Sequence, residues 1–330
     1  MLNHFRAVAR MVCIITAQVV CLSAPTFGQF PRGAPTPDSL VKLLGSPTWQ
    51  VRDDAVAWLN RVPTRQLPSN YAAVIIPLFE REATSLRPDP AAAGEGYGEY
   101  LLHLMEGVLR LHDPRSLRGL ALVGIRMSRE AQEYVASQGP ASFPFLDEAR
   151  SRGDAHVAIV WAYMLGQYGQ KLSRTDSLQV MVRLFAVLPD HPRDFTWAAA
   201  SGPLPEMVPL VEDIAARDPY QIGQRQSADV AAKLRLLRDR LSSPGLLARL
   251  SDWLDALCLS ADGARRTACQ TLGASLAEAR TQAQTGRPGA ARPALDTLIR
   301  NADEALTAHS LTEAEHRLLV ANAEYLKGRP

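Results

Sequence analysis

Residues 40–59 read LVKLLGSPTWQVRDDAVAWL, and the spacing of their apolar side chains decides the fold class. A short amphipathic helix is predicted over 38–44, with leucines among its apolar residues, and residues 45–48, opening with Gly45-Ser46-Pro47, then form a turn. Val51, Ala55, Trp58 and Leu59 fall on one stripe of a second helix over 51–59, so the two make a helical hairpin. Further along, helices are predicted over 71–82 and 100–111, on either side of a Pro/Gly-rich break at 88–96. In the second of these, Leu101, Leu104, Met105, Val108 and Leu111 keep helical spacing. Asp113-Pro114 marks a stop followed by proline at the first helical position. More helices are predicted over 129–137, 143–150, 155–168, 176–188, 207–216 and 228–241. No comparably long alternating run argues for a sheet, so the chain is expected to be all-α.

The first hairpin resembles a HEAT repeat: leucines in its first helix, a Ser-Pro turn where that family more often has Asp-Pro, then Val51-Arg52 and Ala55 opening the second helix. The stretch LHDPRSLRGLALVG (111–124) is similar. Successive hairpins start near 37, 71, 114, 141 and 174, so the resemblance implies an irregular HEAT-like α-solenoid over 37–250. Around residue 251 the composition changes and the chain becomes Ala-rich. Three helices, over 268–284, 290–308 and 312–326, predict a small C-terminal helical bundle in 251–330. Either Ser310-x-x-Glu313 or Thr312-x-x-Glu315 offers a capping box for the last. The stretch TLGASLAEARTQAQTGRPGAARPALDTLIRNADEAL (271–306) resembles the FIMAH-type C-terminal helical domain of secreted bacterial proteins, with Leu298-Ile299 in place of its usual Phe-Ile. That resemblance brings no catalytic residue with it.

At the other end, Arg6 and Arg10 precede the apolar run MVCIITAQVVCLSA (11–24), with Pro25 and Gly28 beyond it. This is the layout of a signal peptide over 1–28, followed by a Pro/Gly-rich linker over 29–36. The run falls short of the roughly 20 residues that span a bilayer, so no stable membrane span is expected. The protein is expected to be exported, to the periplasm or beyond the cell. Removing the signal takes Cys13 and Cys21, and Cys258 and Cys269 are then the only cysteines left, expected to form a disulfide in an oxidising compartment. The rival is two buried thiols.

Composition excludes other classes. The 330 residues are 47% hydrophobic with a net charge of +2, which rules out a disordered polyelectrolyte and gives no pull toward nucleic acid. His103-x-x-Glu106 puts a metal-type pair on one helical face, as does Glu313-x-x-His316, but neither has a third ligand at a recognised spacing. Asp190, His191, Arg193 and Asp194 cluster in what is read as a loop. Lys233, Arg235, Arg238 and Arg240 form a basic run on the helix over 228–241, opposite a stripe of Val230, Leu234, Leu237 and Leu241. Trp161, Tyr163 and Tyr168 share one helix, with Trp161, Trp58 and Trp253 read as core. No catalytic motif occurs. The expectation is a secreted, non-enzymatic scaffold for an unidentified protein partner, with no cofactor and no nucleic acid. The alternatives are a cell-envelope polysaccharide-binding module and a metal-dependent helical hydrolase.

Overall fold

The computed structural model describes residues 35–85, 96–287 and 289–329; the expected signal peptide, most of the linker and most of the 88–96 break lie outside them. The described residues are all-α, with no strand among them. In chain order the helices are α1 (Pro37–Leu43), α2 (Trp49–Leu59), α3 (Tyr71–Ser85) and α4 (Tyr97–Leu109). Helix α5 runs through three contiguous pieces, Leu117–Gly119, the π-helical Leu120–Gly124 and Ile125–Met127. Then follow α6 (Arg129–Ser137), α7 (Phe143–Ser151), α8 (Val157–Gly166), α9 (Arg174–Val187), α10 (Pro192–Ser201), α11 (Val208–Arg217) and α12 (Gln221–Arg240). The C-terminal four are α13 (Ser243–Cys258), α14 (Gly263–Gln284), α15 (Arg292–Thr307) and α16 (Glu313–Lys327).

Each even-numbered helix up to α12 packs on its hairpin partner and on the next even-numbered helix: α2 on α4, α4 on α6, α6 on α8, α8 on α10, α10 on α12. One polar device recurs at the turns. The side chain of the residue opening a turn accepts from the backbone N–H two residues on, Ser46 from Thr48 at 3.2 Å, and Asp113, Asp154 and Asp218 from Arg115, His156 and Tyr220 at 2.9 Å each. This satisfies N–H groups that a helix start leaves orphaned. Arg126 of α5 and Arg193 of α10 then reach Asp154 and Asp218 in the following hairpins. Ser46 performs the turn role of the aspartates but carries no charge for such an arginine. Arg52 compensates by donating to the Ser46 and Pro47 carbonyls at 2.7 and 3.1 Å.

That bond corrects the expected stripe of α2. Val51 and Trp58 are 37% and 38% exposed, while Arg52, Ala55, Val56 and Leu59 are buried. Arg52 earns no apolar score, yet its guanidinium also donates to the Tyr100 hydroxyl at 2.7 Å and to Glu82 at 3.0 Å, so it can be buried with its donors satisfied. Trp161 and Trp253 are fully buried as expected. The stretch read as a loop around 190–194 instead opens helix α10, Pro192–Ser201: Pro192 occupies its first turn, where a missing N–H costs nothing, and Phe195, Ala198 and Ala199 bury its inner side.

The apolar core is in two parts. One runs from Leu40 to Leu234 and takes in Trp253, Ala256 and Leu318. The other runs from Leu246 to Leu326. Helix α13 faces both, and the expected boundary at residue 250 falls inside it. Leu272, Leu276 and Ala279 of α14 share the second core with Leu295, Leu298 and Ala302 of α15, whereas Leu318 of α16 belongs to the first. Helix α16 starts with a capping box between Thr312 and Glu315, packs on α11 and places Arg317 against Asp213.

Cys258 at the end of α13 and Cys269 in α14 stand at disulfide distance, with Cα atoms 6.0 Å apart. Closing a loop of this size is worth about 3 kcal/mol on the chain-entropy model. Reductant is therefore expected to lower unfolding free energy by about that much, read by chemical denaturation with thiol alkylation in parallel. Two alkylated thiols without reductant would contradict the bond.

Candidate functional site

The residues singled out in the sequence do not assemble into one site. The ring Nδ1 of His103 lies 2.7 Å from Asp53 of α2, while Asn60 donates to the His103 carbonyl at 2.8 Å. Glu106 is exposed, so the pair is used across α2 and α4 and not as two ligands. His316 pairs with Asp303 of α15 at 2.7 Å, and Glu313 stays exposed in the first turn of α16. In the 190–194 stretch, Arg193 is bidentate to Asp218 at 2.7 Å on both bonds, and His191 lies 3.7 Å from Asp194. Among the described residues no group of three or more His, Cys, Asp or Glu is placed to hold a metal ion.

The basic run on α12 divides. Arg235 pairs with Glu212, but Arg238 is only 8% exposed, its guanidinium 3.9 Å over the Tyr325 ring. Leu237, expected on the buried stripe, is 36% exposed. Arg238 is covered because Tyr325 and Arg329 return from the far end of the chain to α12, Tyr325 donating to Asp239 at 2.6 Å and Arg329 to the Leu241 carbonyl. Burial pushes the Arg238 pKa down from its usual value. Trp161 and Tyr163 are buried, and Tyr168 lies under Lys171, so α8 offers no aromatic platform.

The turn aspartate at 154 shows how far such a position is from ordinary solution. Burial pushes its carboxyl up, and bonds from His156 and Arg126 outweigh this, leaving it below the usual range; the same bond to Asp154 raises His156. A lowered carboxyl stabilises above its unfolded pKa and loses that contribution as pH falls through the folded value. A raised histidine stabilises below its unfolded pKa and loses its contribution as pH rises through the folded one. The advantage of the wild type over Asp154→Asn is thus expected to be largest between about pH 4 and 6.5. Denaturant titrations across pH check this; a pH-independent difference would contradict the linkage.

A different place has the form of a binding site. Where α9 faces α13 there is a cleft of about 420 Å³. Leu165, Leu172, Leu178, Met181 and Leu204 make its apolar wall. Its charged residues are Glu206, Arg249, Arg174 and Asp252. Glu206 sits in the turn Pro205–Met207 just before α11 and is 2% exposed. Arg249 of α13 donates to its two oxygens at 3.4 and 3.2 Å, and the Trp253 indole N–H donates at 3.2 Å. Asn322 of α16 holds the Glu206 backbone carbonyl at 2.9 Å, so two separate helices, α13 and α16, fix this one residue. Burial pushes the Glu206 carboxyl above the usual range, against the opposing pull of Arg249 and the Trp253 bond. At the rim, Arg174 is held by both Asp252 and Asp255. An apolar wall with a few convergent polar groups is the usual make-up of a small-ligand site.

Sequence reasoning missed this cleft because its polar members are 32 to 75 residues apart, between Arg174, Glu206 and Arg249. Comparison with protein-family models, curated proteins and solved structures finds no match for the chain.

Proposed function

We propose that this protein is an exported, non-enzymatic helical-repeat scaffold that binds another protein along its row of even-numbered helices. The observation that carries the reading is the unbroken packing from α2 to α12, each even-numbered helix on the next. Stacked hairpins hold themselves together by neighbour contacts, which leaves the outer side of a helix row free to vary and to bind. On that row, Trp58 of α2, Trp197 of α10 and Ile222 of α12 are 38%, 49% and 72% exposed. Large apolar side chains left in water are common singly, but tryptophan is also the residue that contributes most at protein interfaces. The turn device at Ser46, Asp113, Asp154 and Asp218 further supports a repeat origin. Export is supported by the arrangement of residues 1–28 and by the cysteine pair at disulfide distance. No helix among the described residues is long and apolar enough to cross a membrane.

The test is fractionation of cells making the full chain, followed by chemical cross-linking and mass spectrometry on the exported fraction. The proposal expects a mature chain beginning near Gln29 that cross-links to a defined protein. A chain that keeps residues 1–28 inside the cell, or remains uncross-linked in its native envelope, would overturn it.

A further inference from the structure

We propose that the cleft between α9 and α13 binds an amphipathic cation, an ammonium on an unbranched apolar stem, with the Glu206 carboxylate as its counter-ion. The site is separate from the exposed side chains of the even-numbered row, so it stands or falls independently of the scaffold proposal.

Three features point to this chemistry. First, an ionised carboxylate offers about four acceptor positions, and Glu206 receives side-chain donors only at 3.2 to 3.4 Å. Charge-assisted bonds are ordinarily about 2.7–2.9 Å long, so a mobile ammonium would make a shorter bond than Arg249 or Trp253 does. Secondly, the charged residues lining the cleft, Arg174 and Arg249 with Glu206 and Asp252, balance, and the one further carboxylate at its rim, Asp255 on Arg174, tips the surroundings negative, which opposes an anionic ligand. Thirdly, the leucines and Met181 on the wall give the stem an apolar bed, within a volume of about 420 Å³ that suits a small molecule or a single long side chain. The raised pKa of Glu206 fits: burial withholds from the carboxylate the solvation that an arriving cation would replace. The same head and stem occur in a lysine side chain of a protein and in a free alkylamine, so the test must separate the two sources.

The full chain is titrated by calorimetry with hexylammonium, hexanol and hexanoate, which share a stem and differ in head group. A blocked tripeptide, acetyl-Leu-Lys-Leu-amide, is titrated alongside. Hexylammonium is expected to bind at least about tenfold more tightly than hexanol, a difference of about 1.4 kcal/mol, with hexanoate weakest. Glu206→Gln, nearly isosteric and still able to accept from Trp253, should remove that preference. Leu178→Trp, which fills the cleft from its apolar wall and leaves every charge in place, should abolish binding of hexylammonium and hexanol alike. This second variant decides the matter if Glu206→Gln fails to fold. A tripeptide that binds more tightly than hexylammonium assigns the site to a protein lysine; hexylammonium binding alone assigns it to a free amine. Equal affinity for hexylammonium and hexanoate, or binding unchanged in Leu178→Trp, would overturn the proposal.

Discussion

Replacing Gly202 by alanine is expected to destabilise the protein by about 3 kcal/mol or more, at or beyond the upper end of what overpacking usually costs. A Cβ built on Gly202 would lie 1.7 Å from the Ala162 carbonyl oxygen, and one on Gly166 would lie 2.3 Å from the Gly202 Cα. Both obstacles are backbone, so no side chain can rotate away. The two glycines let the end of α10 pass against α8, a deeply buried helix whose residues Val157, Ala158, Val160, Trp161, Ala162, Tyr163 and Met164 are all in the core. Forcing the two apart would open contacts on every side of α8. Gly98 is the control, since nothing lies within 4 Å of its would-be Cβ, and Gly98→Ala should not destabilise. Equilibrium denaturation of both variants checks the pair, and a Gly202→Ala protein as stable as wild type would mean that α8 and α10 do not cross as described.

The second large effect is expected at Arg52. Its guanidinium joins the α1–α2 turn to Glu82 on α3 and to Tyr100 on α4, and Tyr97 donates to the other oxygen of Glu82 at 2.6 Å. Arg52 and Glu82 are 6% and 7% exposed. Removing one member of such a pair leaves the other charge buried, at a cost of about 3–5 kcal/mol. Arg52→Leu should therefore lose about that much. The double variant Arg52→Leu, Glu82→Leu should recover a large part, because the buried Glu82 carboxylate, then left with only the exposed Arg81 and the Tyr97 hydroxyl, goes too; the Ser46 and Pro47 carbonyls would still lack their donor. Equal losses in the single and double variants would show that the ion pair is not what holds these two hairpins together.

Arg52 also shows where the sequence stops being legible. Periodicity predicts most helices within a few residues, because a helix that buries one face must repeat its apolar residues at that spacing. The same rule misplaces Val51 and Trp58, since it cannot know that an arginine with satisfied donors takes the inner position. It likewise puts Leu237 inside and Arg238 outside, because Tyr325 and Arg329, which cover Arg238, lie some ninety residues further on. Helix α10 was hidden by Pro192, which reads as a loop residue until its place in the first turn is seen. The cleft was not legible at all. Glu206 sits in a short Pro-Glu-Met turn with no motif around it, and its meaning comes from Arg249, Trp253 and Asn322, brought there by α13 and α16.

The most direct test of the scaffold account places a photoreactive amino acid at single positions of the exported protein in its native envelope. Trp58, Trp197 and Ile222 sample the even-numbered row, and Leu43 of α1 and Val182 of α9, 43% and 39% exposed, serve as matched apolar controls on odd-numbered helices. The account predicts adducts to one common protein from positions 58, 197 and 222, and none from 43 and 182. No adduct from any position, or adducts equally from both sets, would contradict it.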